Sequence, residues 1–158
     1  MNMKSGVEQA VYALLVLTRL PRQAMLSGEA LSQQLHISPT YLQKLMRKLV
    51  RAGIVLSVPG AKGGFRLQAS PDDITIYDVY MAVEGVKSLY RSTGIFEGML
   101  QLKDNNACLL SDVMDEAERA WQAVLKRQSI ASLHSELNET CSADDLTKLD
   151  SWLKSTIR

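Results

Sequence analysis

The chain has 158 residues, of which 46% are hydrophobic and 22% are charged. This composition is that of a globular protein and excludes a disordered tail, and the length suits one domain or a small domain with an appendage. The two cysteines, Cys108 and Cys141, lie far apart. Their number and spacing predict no disulfide scaffold and fit a reducing cytoplasm.

The charges are unevenly distributed, although the formal net charge is only +1. Residues 1–67 contain nine lysines and arginines and two acids, a net charge of +7, so the remainder of the chain carries −6. A basic first half beside an acidic second half is typical of a nucleic-acid-binding head joined to a domain that does not bind nucleic acid. Chance clustering of solvated charge is the alternative.

The first predicted element is a helix from Ser5 to Arg19. Its apolar residues recur at three- and four-residue spacing, which gives the helix a wide buried face. The segment loosely resembles a signal peptide, but Glu8 and Gln9 interrupt it, the apolar run is short, and no cleavage site follows. We therefore interpret it as a buried helix of a cytoplasmic protein.

Two helices joined by a tight turn are predicted next. Ser27 is the expected N-cap of a short helix, and Ser38-Pro39 is a strong start signal for the following one. This third helix runs from Thr40 to about Arg51. Its predicted buried side consists of Tyr41, Leu42, Leu45, Leu49 and Val50. Its other side carries four positive charges and no acid, and consists of Thr40, Gln43, Lys44, Arg47, Lys48 and Arg51.

After the third helix the pattern changes to that of a β-hairpin. Branched and aromatic residues in Ile54–Val58 and Phe65–Leu67 flank the glycine loop PGAKGG, and Lys62 is expected to be exposed at its tip. Glycines allow positive φ values and close backbone approach, and those in the loop are Gly60, Gly63 and Gly64. A short helix, a tight turn, a basic helix and a hairpin in this order form a winged helix-turn-helix.

The second half of the chain is predicted to be helical around a loop. A helix capped by Thr75 ends at Gly85, and residues 86–106 are the least periodic part of the chain. Residues 110–125 keep helical spacing and predict a long amphipathic helix. Such a helix outside a small core needs a partner, and a second copy in a symmetric dimer is the economical one. A last helix is capped by Ser142. The fold expected is therefore mainly α with a small β-hairpin wing.

The glycine loop does not fit a nucleotide-binding motif. A P-loop requires G-x-x-x-x-G-K-[ST] between a strand and a helix, whereas Lys62 lies inside the glycine run and a strand follows it. Dinucleotide binding fails the same test of context, and no G-x-S-x-G or H-E-x-x-H motif occurs. His36 and His134 have no second ligand at metal spacing, so no metal site is predicted. The sequence favours a binding protein over an enzyme.

Residues 1–85 resemble the Rrf2 superfamily of bacterial winged-helix regulators, the family of IscR, NsrR and CymR. The motifs YALLVL, ISPTYLQKLMRKLVRAGIV, SVPGAKGGFRL and ITIYDVYMAVEG carry the likeness in the family's order and spacing. The resemblance implies a homodimeric transcription regulator, interpreted as a repressor, that binds a palindromic operator in double-stranded DNA. It also implies two segments. Residues 1–85 would form the winged helix-turn-helix DNA-binding domain, and residues 86–158 a signal-receiving loop, a long dimerisation helix and a C-terminal helix.

The resemblance further implies which residues contact DNA. Those expected to face base edges in the major groove, which suits their amide, hydroxyl and ammonium groups, are Thr40, Gln43 and Lys44. Those expected to contact phosphates are Tyr41, Arg47 and Lys48. At the wing the family often has an arginine where this chain has Pro59, so Lys62 is the candidate there. The alternatives are a solvated helix face and, for Tyr41, a place in the core.

Several members of the family hold an iron–sulfur cluster through three closely spaced cysteines ahead of the long helix. In this chain only Cys108 lies there, and the other ligand positions fall near Phe96 and Leu102, which cannot bind iron. No cofactor is therefore predicted. Cys108 could be a redox-sensing thiol at a helix N-terminus or a small buried residue at the dimer seam. The signal expected is a small molecule, thiol oxidation or a partner protein. The alternative function is a winged-helix protein-interaction adaptor that does not bind DNA.

Overall fold

A computed structural model describes residues 3–101 and 109–158 of the chain. Within these residues it contains eight α-helices and one two-stranded antiparallel sheet. In chain order the elements are α1 (Ser5–Thr18), α2 (Gly28–Leu35), α3 (Pro39–Arg51), β1 (Val55–Val58), β2 (Gly64–Leu67), α4 (Ile76–Glu84), α5 (Ile95–Leu100), α6 (Leu109–Arg127), α7 (Ile130–Thr140) and α8 (Ala143–Thr156). The mainly α fold with a β-hairpin wing is confirmed. None of the described helices is long and apolar enough to cross a membrane.

The helix starts follow the capping residues in the sequence. The hydroxyl of Ser27 accepts a hydrogen bond from the backbone N–H of Ala30, and that of Ser38 from the N–H of Tyr41. Thr75 and Asp78 form a reciprocal capping box at the start of α4. These bonds satisfy N–H groups that a helix start would otherwise leave unpaired, which fixes where α2, α3 and α4 begin.

Helix α1 lies at the centre of the core and contacts α2, α3, α4, α7 and β2. Its residues Val7, Ala10 and Leu14 are almost completely buried. The same core contains Ile130 of α7 and Leu153 of α8, which are 0% and 3% exposed. Helices α7 and α8 therefore pack onto the helix-turn-helix.

Two helices were not predicted from the sequence. Helix α5 falls in the segment expected to be a loop, and its six residues, none of them buried, are too few for an apolar spacing to distinguish a helix. Helix α7 buries only Ile130. Its start is marked by a capping box between Ser129 and Ser132, which is the signal that could have revealed it.

The buried side of α3 differs from the expected one at three positions: Tyr41 is exposed, Val50 is only half-buried, and Met46 joins the buried set. Tyr41 is 41% exposed, so its assignment to the buried side is wrong, whereas Met46 is completely buried. The buried set consists of Leu42, Leu45, Met46 and Leu49. These residues follow a strict three- and four-residue spacing, and Tyr41 precedes the stripe by one position and so turns toward its edge.

The hairpin pairs Val55 with Leu67 at its base and Val58 with Gly64 at its tip. Gly60 and Gly64 have positive φ values of 101° and 153°, as expected, but Gly63 does not. Gly63 is required for a different reason, since a Cβ there would lie 1.9 Å from the carbonyl oxygen of Val58. The loop glycines therefore supply both features predicted for them, positive φ at Gly60 and Gly64 and close backbone approach at Gly63 and Gly64.

Candidate nucleic-acid interface

Helix α3 presents its polar side to solvent because its apolar side is held in the core. Leu42, Leu45 and Leu49 are at most 3% exposed and fix the rotation of the helix. The residues left exposed on the outer side, all predicted from the sequence, are Thr40, Gln43, Lys44, Arg47, Lys48 and Arg51.

A first groove separates α3 from the wing. It has a volume of about 300 Å³, and Gln43, Arg47 and Arg51 of α3 face Ser57 and Phe65 of the hairpin across it. The groove places two cations and an amide beside the β-hairpin. Arg51 was not among the residues predicted to contact DNA. The prediction stopped one turn short of the end of α3, although Arg51 lies on the same charged side.

A second groove lies on the other side of α3 and has a volume of about 600 Å³. Here α3 meets the start of α1 and the end of α4, and the charged residues that line it are Lys4, Lys44, Lys48, Glu84 and Lys87. Lys4 forms an ion pair with Glu84 at 3.4 Å. Four lysines against one glutamate make this groove strongly basic. The sequence did not predict a role for Lys4 or Lys87, because their proximity to Lys44 arises only from tertiary packing.

Lys48 is tied to the scaffold more closely than predicted. Its ammonium group donates a hydrogen bond to the carbonyl oxygen of Val83, near the end of α4, at 2.8 Å. One of its three N–H groups is therefore used within the protein, and two remain for another acceptor. The bond holds the charge at the edge of the second groove.

Tyr41 lies across the second groove from α1. A Cβ built on Gly6 would lie 2.9 Å from the Tyr41 hydroxyl, so the absence of a side chain at Gly6 lets the phenol approach the first turn of α1. The hydroxyl is thus positioned beside Lys4 and Lys44 in the groove lining.

The remaining predicted residues occupy separate places. Thr40 is exposed at the start of α3, and Lys62 is exposed in the turn of the hairpin. Of the predicted contacts, Gln43 and Arg47 line the first groove, while Tyr41, Lys44 and Lys48 line the second. Cys108 lies outside the described residues.

A basic helix held by a helix-turn-helix beside a β-hairpin defines the class of winged helix-turn-helix proteins. The family model described as "Rrf2: Iron-dependent Transcriptional regulator" matches residues 3–136. The chain belongs to the Rrf2 family of transcriptional regulators, and it is a regulator and not an enzyme.

Relatives in sequence agree with this family, and solved structures agree with the fold. The chain is 46% identical over 153 residues to the HTH-type transcriptional regulator YwgB of Bacillus subtilis (strain 168), covering 97% of this chain and 95% of YwgB. It is 29% identical to the HTH-type transcriptional regulator NsrR of Shouchella clausii (strain KSM-K16), covering 94% and 95%. Among solved structures, T. potens IscR matches with a TM-score of 0.70 at 22% identity, covering 90% and 93%. CymR of B. subtilis matches with a TM-score of 0.68 at 24% identity, covering 86% and 98%.

The family description refers to iron, but the donor set of this chain does not fit an iron–sulfur cluster. The whole sequence contains two cysteines, and three closely spaced thiolates cannot be assembled from them. In the described residues, no group of three or more His, Cys, Asp and Glu side chains could hold a metal ion.

Proposed function

We propose that the protein is a homodimeric, sequence-specific DNA-binding regulator that represses transcription in the cytoplasm. The observation that carries the proposal is the exposed side of α3, which has four positive charges and no acid and is flanked by two grooves with further cations. Electrostatic attraction to the phosphate backbone supplies much of the affinity for DNA, and this surface is the one suited to it.

In the proposed complex the first turns of α3 enter the major groove. Thr40, Gln43 and Lys44 are exposed there and carry the hydroxyl, amide and ammonium groups that read base edges. Arg47 would bind phosphate from the first groove, and Tyr41 and Lys48 from the second. Lys62, exposed in the hairpin turn, would bind the DNA backbone beside the wing.

Helix α6 supports the proposal of a dimer because it has two apolar faces. One packs on α4, where the rings of Tyr80 and Trp121 meet edge to face with centroids 4.7 Å apart. The second face is exposed, although its residues recur at three- and four-residue spacing: Leu110, Val113, Ala117, Ala120 and Val124. An exposed apolar stripe on a long helix favours burial against another protein surface. A second copy of α6 is self-complementary and would also pair two DNA-binding heads.

The proposed division of labour follows the two sequence segments. Residues 1–85 contain the surface that would bind DNA, and residues 86–158 contain α6. The signal would be a small molecule, a partner protein or oxidation of Cys108, and no cluster is needed for any of these. Replacing Cys108 with serine tests the thiol route, since oxidant-dependent release from DNA would then be lost.

An electrophoretic shift with the DNA upstream of the protein's own gene tests the proposal. We expect a discrete complex that persists against excess unrelated DNA. The competing function is a winged-helix adaptor that binds only proteins, and the absence of any complex at low salt would favour it. An adaptor has no use for the acid-free basic side of α3, which is the observation against it.

A further inference from the structure

A polar cavity lies away from the proposed DNA interface, between the end of α1 and helices α7 and α8. It has a volume of about 410 Å³ and shares no lining residue with either groove beside α3. Cavities of a few hundred Å³ with a few convergent polar groups are the usual size for small-molecule sites.

One wall of the cavity is an arginine fixed in place by three other side chains. Arg19 donates from Nε and Nη2 to the two carboxylate oxygens of Asp150, each at 2.8 Å. Its Nη1 donates to the Asn138 Oδ1 at 2.7 Å and lies 3.2 Å from the His134 Nε2. The Arg19 side chain is only 10% exposed. The contacts to Asp150, Asn138 and His134 occupy four of the five N–H groups of Arg19, so this side chain mainly orients the other polar groups and is not the main group that would capture a ligand.

The groups that remain available in the cavity are mainly donors. Lys154 forms no hydrogen bond or ion pair with any described residue, and its charge acts on Asp150 only at longer range, where it helps to lower the pKa of that carboxyl. The bond to Arg19 uses only the oxygen of the Asn138 amide, which leaves the amide nitrogen as a donor. Arg19 and Lys154 against Asp150 give the lining a net charge of +1 when His134 is neutral. Burial and the charge of Arg19 both lower the pKa of His134, which favours that neutral form.

The other wall is apolar. Leu153 on α8 is 3% exposed, Ile157 directly after α8 is half-buried, and both line the cavity. A ligand that matches this lining carries one negative charge with two acceptor oxygens and a short hydrocarbon end. A carboxylate has the acceptors for an ammonium and an amide N–H group, and its hydrocarbon end would pack on the two aliphatic side chains.

We propose that this cavity binds a small aliphatic carboxylate, held by Lys154 and Asn138 at its charged end and by Leu153 and Ile157 at its apolar end. The proposal assigns the effector site of the regulator to the junction of α1, α7 and α8. None of the described residues 86–101, part of the segment expected to receive the signal, lines this cavity.

The residue that follows the cavity lining after α8 is hydrogen-bonded to the segment beside the wing and to the wing loop. After α8, the N–H of Arg158 donates to the carbonyl oxygen of Met25 at 2.8 Å, and the N–H of Met25 donates to that of Arg158 at 3.0 Å. The next residue, Leu26, forms a second reciprocal pair of backbone hydrogen bonds with Phe65 of β2, at 3.0 and 2.8 Å. The Nη1 of Arg158 also donates to the carbonyl oxygen of Gly63 in the wing loop at 3.3 Å.

These bonds tie Arg158 to Met25 and to the wing loop, outside the two-stranded sheet. Ile157, which lines the cavity, precedes Arg158, so any shift of Ile157 on ligand binding would be transmitted to the bonds with Met25 and Gly63. The ligand would lower the affinity for DNA if it bound better when those bonds are altered, which is the differential affinity that a regulatory effect requires. The structure thus links the cavity to the wing, and we expect the carboxylate to lower the affinity for DNA. This last step rests on the proposed function, whereas binding in the cavity does not.

Isothermal titration calorimetry of the full chain without DNA tests the site, with 4-methylpentanoate and leucine as probes up to about 10 mM. We expect saturable binding of 4-methylpentanoate to the wild type. Lys154→Gln and Asn138→Leu should each weaken it by about tenfold or more, because each removes a hydrogen bond to a charged group. Lys148→Gln is the matched control, since Lys148 is exposed on α8 outside the cavity lining and should bind like the wild type.

The outcomes are distinguishable. No binding of either probe, or equal binding by Lys154→Gln with a native circular dichroism spectrum, would overturn the site. Inorganic phosphate that binds equally well and displaces the carboxylate would show an unselective anion site and overturn the ligand class. Binding of leucine but not of 4-methylpentanoate would also overturn the ligand class, because recognition would then depend on the ammonium group of the ligand.

The coupling is tested by DNA titrations with and without 10 mM 4-methylpentanoate, roughly the concentration used above. We expect about a fivefold or larger loss of DNA affinity for the wild type and for Lys148→Gln, and none for Lys154→Gln. Unchanged affinity in the wild type would overturn the link to the wing. Failure of the wild type to bind DNA under any condition would contradict the proposed function, and the calorimetry would still decide the cavity.

Discussion

The hydroxyl of Tyr41 lies over Gly6, so that a Cβ at Gly6 would be 2.9 Å from the hydroxyl oxygen. This contact brings the start of α3 against the first turn of α1. It explains how a tyrosine that is 41% exposed still has a defined position beside the lysines of the second groove. The position of the hydroxyl is therefore set by a glycine thirty-five residues earlier in the chain.

Replacing Gly6 with alanine tests whether that hydroxyl contributes to DNA binding. The new methyl group displaces the Tyr41 ring, and we expect DNA affinity to fall by about three- to tenfold, the effect of one hydrogen bond. Tyr41→Phe should cause a similar loss. The double variant should lose no more than either single one, because both changes remove the same contact. Additive losses in fluorescence anisotropy titrations would contradict this account.

The bond pair between Arg19 and Asp150 is expected to stabilise the packing of α8. In Asp150→Ala, Arg19 would keep its nearly buried position with two donors unpaired, so the free energy of unfolding should fall by about 1–3 kcal/mol. Urea denaturation measures this change. Glu136→Ala, an exposed acid on α7, serves as the control and should change stability by less than about 0.5 kcal/mol. Equal effects of the two variants would show that the ion pair is not structural.

His134 should make the fold sensitive to mild acid. Burial, followed by the charge of Arg19, lowers its pKa from the ordinary value of 6.5, so the unfolded chain takes up a proton before the folded one does. The free energy of unfolding should therefore decrease as pH falls below about 6.5. Hydrogen bonds from Arg19 lower the pKa of Asp150 below 3.8. The contribution of this carboxylate to the free energy of unfolding is therefore lost only in stronger acid.

Thermal unfolding at several pH values between about 7.5 and 5 separates the two groups. The wild type should lose stability over this range, and His134→Gln should lose less. If the stability of His134→Gln fell with pH as steeply as that of the wild type, His134 would be excluded as the cause of the acid sensitivity. Below about pH 4 both proteins should lose stability together, because Asp150 is unchanged in each.

The exposed stripe on α6 predicts how the protein self-associates. Val113, which is 59% exposed in the single chain, would be buried at a two-fold interface, so Val113→Asp places two unpaired charges there. We expect the dissociation constant of the dimer to rise by about 100-fold or more, measured by analytical ultracentrifugation. Arg119→Asp introduces the same side chain on the charged face of α6 and should leave the dimer intact. A monomeric wild type would contradict the proposed interface.

The helix-turn-helix could be predicted because its signals are local. Ser27, Ser38 and Thr75 each act as the N-cap expected, and glycines shape the hairpin. Helices α5 and α7 were missed because α5 is only six residues long and α7 has just three apolar residues at helical spacing, Ile130, Leu133 and Leu137, so the patterns are short and weak. Capping and turn residues can be identified from a single sequence, whereas weakly amphipathic helices cannot.

The sites depended on contacts between distant parts of the chain. The exposed side of α3 was predicted because it lies on one helix, whereas Lys4 and Lys87 reach it only through the packing of α1 and α4. Arg19 is separated from Asp150 by 131 positions and from His134 by 115, so His134 read as an isolated residue. No spacing rule connects such residues, and only the folded core brings them together.

The central claim is that α3 binds DNA in a sequence-specific manner, and Lys44→Gln tests it most directly. Fluorescence anisotropy titrations would compare the wild type and the variant on the upstream operator DNA and on a scrambled duplex. The account predicts tight operator binding by the wild type, a loss of about 1–3 kcal/mol in the variant on the operator, and a much smaller loss on the scrambled DNA. An equal loss on both duplexes would make Lys44 a phosphate contact. The absence of any wild-type binding to the operator at low salt would contradict the claim itself.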